Sequence, residues 1–428
     1  MSDFKIKTTW IPTEENDILK KTLAYLLIRV KDCTLTRNVN TWDKKIGDSI
    51  IVSAYPLAEW FAYYWWKLEN ELMPNSVKEI NFDWKAAHEI SAANNGFVWP
   101  QITLASDGEF VNVYSQIFSM PGQSVEYIYN FDSPQTISLP EFQKEITRFI
   151  ESTINKLGTI DSNLKDLWDT VTEESQDEKI KLTRQMEAAM GFDPEECPEE
   201  LLRSAFDFQS QVGKNSIKEV APLLKSNSDW QKRIRELKGF EISVDLPKGE
   251  FDLNNSVLPW KKGINTARSL RKTLDLGEGA VKDNKICEIL GITKNEFRKL
   301  SSNASLPISI GVNLSENKWS ILPRYKKIKT SQRFELSRLL GDAIMYPYSN
   351  REWMVASDYN SYRQKAQKAF AAEFLCPINS LCDFLKEDYS EEKQEEASLY
   401  FGVSLQTVNS SLVNHHVIGR DRLLLFNR

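Results

Sequence analysis

Histidine is scarce in this chain: His88, His415 and His416 are the only three in 428 residues. No pair stands at HxxxH spacing, so no helix face offers two imidazoles to one metal ion. His415 and His416 are adjacent and do not face each other on a helix. At a helix end they meet the negative end of its dipole, a reading preferred here to catalysis. Cysteine offers no substitute. Cys33, Cys197, Cys287, Cys376 and Cys382 are scattered, without a CxxC pair, which argues against a zinc knuckle and fits reduced thiols in a cytosol. Cys376 and Cys382 read as small buried hydrophobes of a helix. Neither GxxxxGK[ST] nor GxGxxG occurs, so Gly-rich phosphate cradles are absent; so is the GxSxG elbow. Apolar runs such as LAYLLI fall far short of the ~20 residues a membrane span needs. The first residues lack the basic-then-apolar order of a signal peptide. The expectation is a soluble cytoplasmic protein without a membrane partner.

Charge of neither sign dominates. Sixty acidic residues face 54 Lys and Arg, for a net −6, which removes a globally basic surface as a route to nucleic acid. A chain of this length, 41% hydrophobic, buries sizeable cores without disulfides or metals.

The patterning predicts an α+β, helix-rich fold in three regions. Residues 1–155 read as an α+β domain of unknown role. In PLAEWFAYYWWKLENEL, Leu57, Trp60, Phe61, Tyr64, Trp65 and Leu68 recur at helical spacing and read as a core face rather than a base-stacking platform. NNGFVWPQITLASDGEFVNVYSQI reads as a strand meander turned at 106–108. SVEYIYNF reads as another strand, and LPEFQKEITRFIESTINKL as a helix. Residues 156–250 read as an acidic helical linker domain. LKDLWDTVTEESQDEKIKLTRQMEAAMGF shows one helical periodicity ending at Gly191, and a further helix stops at Gly213.

Residues 251–428 form the third region: a helix from Pro259, two short helices around Gly291, a strand in NKWSILP, then RFELSRLLGDAIM and SYRQKAQKAFAAEFLCP as helices. Two segments, ICEILGITKNEFRKL and ASLYFGVSLQTVNSSL, have the spacing of helix-turn-helix units. The second helix of the latter carries no Arg or Lys, which counts against DNA binding, since phosphate contacts dominate that affinity. The basic residues Lys294, Arg298, Arg324, Lys326, Lys327, Lys329 and Arg333 make a candidate nucleic-acid strip. A solvated strand edge that blocks aggregation is the preferred reading of RYKKIKTSQR.

Three pieces of this region, RFELSRLLGDAI, AFAAEFLCP and ASLYFGVSLQTVNSSLVNHHVI, together resemble the ImmA/IrrE family of bacterial zinc metallopeptidases, in order and spacing. The resemblance implies a zincin-like domain over 251–428. It also implies an HExxH helix, in which two histidines share a zinc ion and the glutamate polarises its water. Aligned on Phe334, Leu336 and Gly341, the first histidine falls at Arg338, the glutamate at Leu339 and the second histidine at Asp342. The family's third ligand, a glutamate shortly before FAAE, falls in YRQKAQK, which has no carboxylate. Arg338 is a permanent cation without a lone pair for a metal, and Leu339 accepts no proton. No catalytic residue, metal or cofactor is therefore expected.

Arg338 and Asp342 at i and i+4 are expected to form an ion pair that closes the old site. The competing reading is a cleft lined by Arg338, Arg363, Gln364, Asp342 and Glu373, in which Arg338 with Arg363 and Gln364 grips an anionic group. Glu373 is expected to bond structurally rather than act as a base. The resulting expectation is a catalytically inactive metallopeptidase-like protein that binds or senses another protein, in bacterial regulation, stress response or phage defence. The alternatives are a hydrolase with altered chemistry in the same cleft and a nucleic-acid-associated regulator.

Overall fold

A computed structural model describes residues 3–74, 80–117, 122–128, 131, 134–226, 242–245, 258–299, 307–315, 318–324, 328–346 and 352–419. The fold is mixed α+β and helix-rich. The chain divides into two compact units, Met1–Arg203 and Ser204–Arg428.

The first unit opens with β1 (Phe4–Trp10), the short α1 (Ile18–Lys21), β2 (Leu23–Val30), β3 (Cys33–Thr34), β4 (Asn38–Asn40), β5 (Ile46–Gly47) and β6 (Ile50–Ser53). LAYLLI lies in β2, where Ala24, Leu26 and Ile28 are buried and Tyr25 is exposed. That period-2 alternation marks a strand with one face on a core. β1, β2 and β3 pair in that order, with β6 also on β2, all antiparallel.

The aromatic helix expected at 56–72 is two helices, α2 (Tyr55–Tyr63) and α3 (Trp65–Asn70), parted at Tyr64. Its stripe is core: Leu57, Trp60, Phe61, Trp65 and Leu68 are buried and Tyr64 packs against them. After α4 (Phe82–His88), β7 (Gln101–Ser106) and β8 (Phe110–Gln116) form the expected meander, with β10 (Gln135–Ser138) on the far edge of β8. The strand expected over 124–131 is shorter: β9 (Val125–Tyr127) pairs with β4. α5 (Leu139–Leu157) runs as expected and buries Phe142, Ile146, Phe149 and Ile150. Each of these side chains contributes about 1.5–3 kcal/mol on leaving water.

The periodicity over 164–192 is interrupted. α6 (Asn163–Gln176) ends where the Asp177 carboxylate accepts from the Lys179 and Ile180 amides and starts α7 (Glu178–Ala189). Side-chain capping of this kind favours a new start over continuation. The acidic helical stretch is shared between the units: Leu164, Trp168, Val171 and Ala188 join the first core. α8 (Glu199–Val212) falls mostly, and α9 (Lys214–Ser226) wholly, in the second unit.

The second unit continues through β11 (Ile242–Asp245), α10 (Pro259–Thr273), α11 (Asp283–Ile289), α12 (Lys294–Lys299), β12 (Ser309–Ser315), β13 (Lys318–Leu322), α13 (Lys329–Met345), β14 (Trp353–Ala356), α14 (Tyr362–Leu375), α15 (Ile378–Leu385), α16 (Glu391–Phe401) and α17 (Leu405–Asn414). The sheet order is β11-β13-β12-β14, antiparallel throughout. Leu336, Leu339 and Leu340 of α13 meet Phe370, Phe374 and Leu375 of α14 in its core, with Phe401 and Leu412 from the closing helices. Gly341 leaves room for the Phe370 ring, and Gly263 of α10 lets that helix lie against the α14 backbone at Ala366 and Phe370. α16 and α17 meet around Gly402, whose φ of +64° suits glycine, with Ala397, Val408 and Leu412 buried between them.

Among the described residues, no helix is long and apolar enough to cross a membrane.

Candidate functional site

α13 is buried around most of its circumference, and its buried set includes Arg333, Glu335, Arg338 and Asp342. Charges taken out of water must be paired, and the second unit pairs these across three neighbours.

Asp342, fully buried, belongs to Arg363 of α14. Arg363 Nε donates to Oδ1 at 2.8 Å and Nη2 to Oδ2 at 2.7 Å. This is the parallel fork that makes arginine–carboxylate pairs strong. Burial works against the Arg363 charge, yet Asp342 outweighs it and holds the guanidinium above its ordinary value. The Arg338–Asp342 bond expected from helix spacing is therefore corrected: the partner is a whole element away. The physical reason is that the planar fork arrives end-on from the adjacent helix and takes both oxygens at once.

Arg338, 2% exposed, turns the other way. Nη1 donates to Glu335 Oε2 at 3.1 Å, and Nη2 to the Ser357 carbonyl and Gln364 Oε1, both at 2.5 Å. Gln364 completes the link, accepting from the Ser357 amide at 3.0 Å and donating to the Val355 carbonyl at 2.9 Å. Beyond Glu335 the network continues. Ser309 Oγ donates to Glu335 Oε1 at 2.7 Å, and Arg324 forks onto Asp358 at 2.5 and 2.7 Å. Burial pushes the neighbouring Lys368 ammonium down to about 8.

The structure thus brings Arg338, Asp342, Arg363 and Gln364 together, with Leu339 wholly buried beside them, and leaves Glu373 out. Glu373 Oε1 accepts from Arg268 at 2.7 Å and Oε2 from the Ile378 amide at 3.2 Å, the structural bonding expected of it. Arg338 Nη1 and Nη2 and Arg363 Nε and Nη2 are directed at protein acceptors, not into an open anion cleft, while the buried Arg338 Nε has no hydrogen-bond partner.

The basic strip is not assembled on one surface. Arg324 and Arg333 are buried. Arg333 donates to Asp283 and to the Val281 carbonyl. Residues 329–333, expected at a strand edge, are the first turns of α13, where Lys329 also pairs with Asp283. The RFELSR pattern is helical, and that period prevails over the local charge run. Lys294 starts α12; Arg298 is placed there by its backbone only, and Lys326 and Lys327 lie outside the described residues.

The sequence reading missed Glu219 of α9. It is 3% exposed, Oε1 accepts from Ser361 Oγ at 2.5 Å, and Oε2 has no hydrogen-bond partner. Burial pushes its carboxyl up, against the pull of Ser361 and Arg363. No motif surrounds it, and 142 residues separate it from Ser361, so the sequence carried no signal for this contact.

These residues do not fit a zinc ion. Asp342, the one carboxylate among the residues at which the motif resemblance would put zinc ligands, has both oxygens engaged by Arg363, and Arg338 there is a cation. Among the described residues, no three His, Cys, Asp or Glu side chains are grouped to hold a metal.

Compared with models of protein families, with curated proteins and with solved structures, the chain matches none.

Proposed function

We propose that the second unit is a zincin-like domain of ImmA/IrrE type whose metal site has been replaced by an ion-paired lock, and that the protein is a catalytically inactive binding or sensing module. The observation that carries this is the Arg363–Asp342 fork. It joins α13 to α14, the two helices that hold the metal-ligand positions by the motif resemblance, and it occupies the carboxylate there. Zinc would cross-link two such helices through shared ligands; the fork cross-links them through charge-assisted hydrogen bonds. The bacterial regulatory, stress or phage-defence setting rests on the resemblance alone.

The altered-hydrolase alternative needs Asp342 and Glu373 as working acids. Arg363 engages the first, and Arg268 with the Ile378 amide engages the second. The geometry favours the binding module.

Affinity purification of the tagged protein from its native cells at moderate salt, read by mass spectrometry, tests the proposal. A stoichiometric protein partner and no peptide hydrolysis are expected. A partnerless protein that cleaves peptides would overturn it.

A further inference from the structure

The first sheet carries a feature that the proposed function does not use. β1 and β2 bury Phe4, Ile6, Leu26, Ile28 and Val30 on one face. The other face presents Lys5, Lys7 and Thr9 of β1 beside Tyr25, Leu27 and Arg29 of β2, with Ile51 of β6 next in line. Register places Lys5 directly opposite Arg29 and Tyr25 directly opposite Ile51. Like charges facing each other across an antiparallel pair are destabilising. No outward position within these strands is a carboxylate, and among the described residues neither Lys5, Lys7 nor Arg29 forms an ion pair; the neighbouring carboxylates, Glu141 and Glu145, bond the Asp3 and Ile6 amides instead. Tyr25 and Ile51, adjacent to the cations, are 48% and 56% exposed.

We propose that this open sheet face binds single-stranded nucleic acid. Charge complementarity selects a polyanion, because three cations without an ion-pair partner among the described residues stand on one face of a chain whose net charge is −6. The exposed Tyr25 ring, flanked by Leu27 and Ile51, selects the kind of polyanion. Bases unstacked from a duplex offer π-faces to an aromatic ring, while cations track the backbone. Lys5 and Lys7 are two residues apart on one strand, about 6.7 Å, so the cations form a line along the sheet rather than a point. An acidic peptide would satisfy the charges and leave the ring without a stacking partner.

The test is fluorescence anisotropy of the full chain with a labelled single-stranded oligonucleotide of about ten nucleotides. Competitors are the same sequence as a duplex and a polyglutamate peptide. Affinity should fall with salt, with a log–log slope of about −2 for three phosphate contacts. Lys5→Ala/Lys7→Ala/Arg29→Ala should remove most of that slope and weaken binding at least tenfold. The control Lys261→Ala/Lys272→Ala/Lys282→Ala, an equal charge change at exposed sites in the second unit, should leave the slope in place. Tyr25→Ala should cost about tenfold in affinity and Tyr25→Phe little, because stacking needs the ring and not the hydroxyl. Circular dichroism melts confirm folding; Tyr25→Phe, which keeps the ring, stays informative should Tyr25→Ala not fold. No binding at low salt, binding indifferent to the sheet variants, or polyglutamate competing as well as the oligonucleotide would each overturn the proposal.

Discussion

Arg363 and Asp342 face each other across two helices, with both carboxylate oxygens taken by one guanidinium at 2.8 and 2.7 Å in a site closed to water. Removing one partner of such a pair leaves an uncompensated buried charge. Asp342→Leu and Arg363→Met should each cost about 3–5 kcal/mol, while Asp342→Leu/Arg363→Met should cost less than the sum of these single changes. Denaturant unfolding of the four proteins measures this.

Arg338 provides the control. It bonds Glu335, Ser357 and Gln364, not Asp342. Its charge acts on Asp342 only through space, without the bidentate hydrogen bonds that Arg363 makes. A double-mutant cycle on Arg338 and Asp342 should therefore give a smaller interaction energy than the cycle on Arg363 and Asp342. Equal values would return Asp342 to the partner that helix spacing suggests.

Two glycines set how closely the helices approach. A Cβ on Gly263 would overlap the Ala366 carbonyl oxygen and the Phe370 amide nitrogen, which are backbone atoms; a Cβ on Gly341 would overlap the Phe370 ring. A ring shifts more readily than a helix backbone. Gly341→Ala should cost about 1–3 kcal/mol, the range for overpacking, and Gly263→Ala more. Thermal melts of the two variants rank them.

In the first unit, burial pushes the Glu69 carboxyl up to about 7, opposed by the Gln143 amide, which donates to Oε1 at 2.7 Å. Glu69 borders a cavity of about 490 Å³ lined also by Trp65, Trp66 and Lys181. Because the folded value lies above the ordinary 4.5, the folded state holds the proton more tightly. Stability therefore falls as pH rises from about 4.5 to about 7, by about 3 kcal/mol in all. Glu69→Gln should melt higher than the parent at about pH 8, with the difference vanishing at about pH 4.5.

Much of this architecture was legible because its signals are local. SYRQKAQKAFAAEFLCP reads as a helix ahead of Pro377, and α14 ends at Leu375; the structure adds that Ser361 caps it by accepting from the Gln364 amide. LPEFQKEITRFIESTINKL reads as a helix, and α5 covers it, burying Phe142, Ile146, Phe149 and Ile150. The breaks at Tyr64 and Asp177 were not read, because apolar periodicity persists across a kink; Asp177 ahead of Glu178 was the capping signal available. At the site, the sequence supplied Arg338, Asp342, Arg363 and Gln364 but joined the wrong pair. Spacing within one helix is visible in a sequence, whereas the meeting of α13 with α14 is set by packing. Glu219 lay beyond reach for the same reason. Of the basic strip, Arg324 and Arg333 are buried, each held by carboxylates distant in the chain, because charge alone does not distinguish a solvated lysine from a buried arginine.

The measurement that tests the central claim most directly is elemental analysis of the purified protein after dialysis against zinc, with a thermal melt before and after chelation. The account predicts no stoichiometric zinc and a melting temperature that the chelator does not move. Stoichiometric zinc whose removal lowers the melting temperature would contradict it.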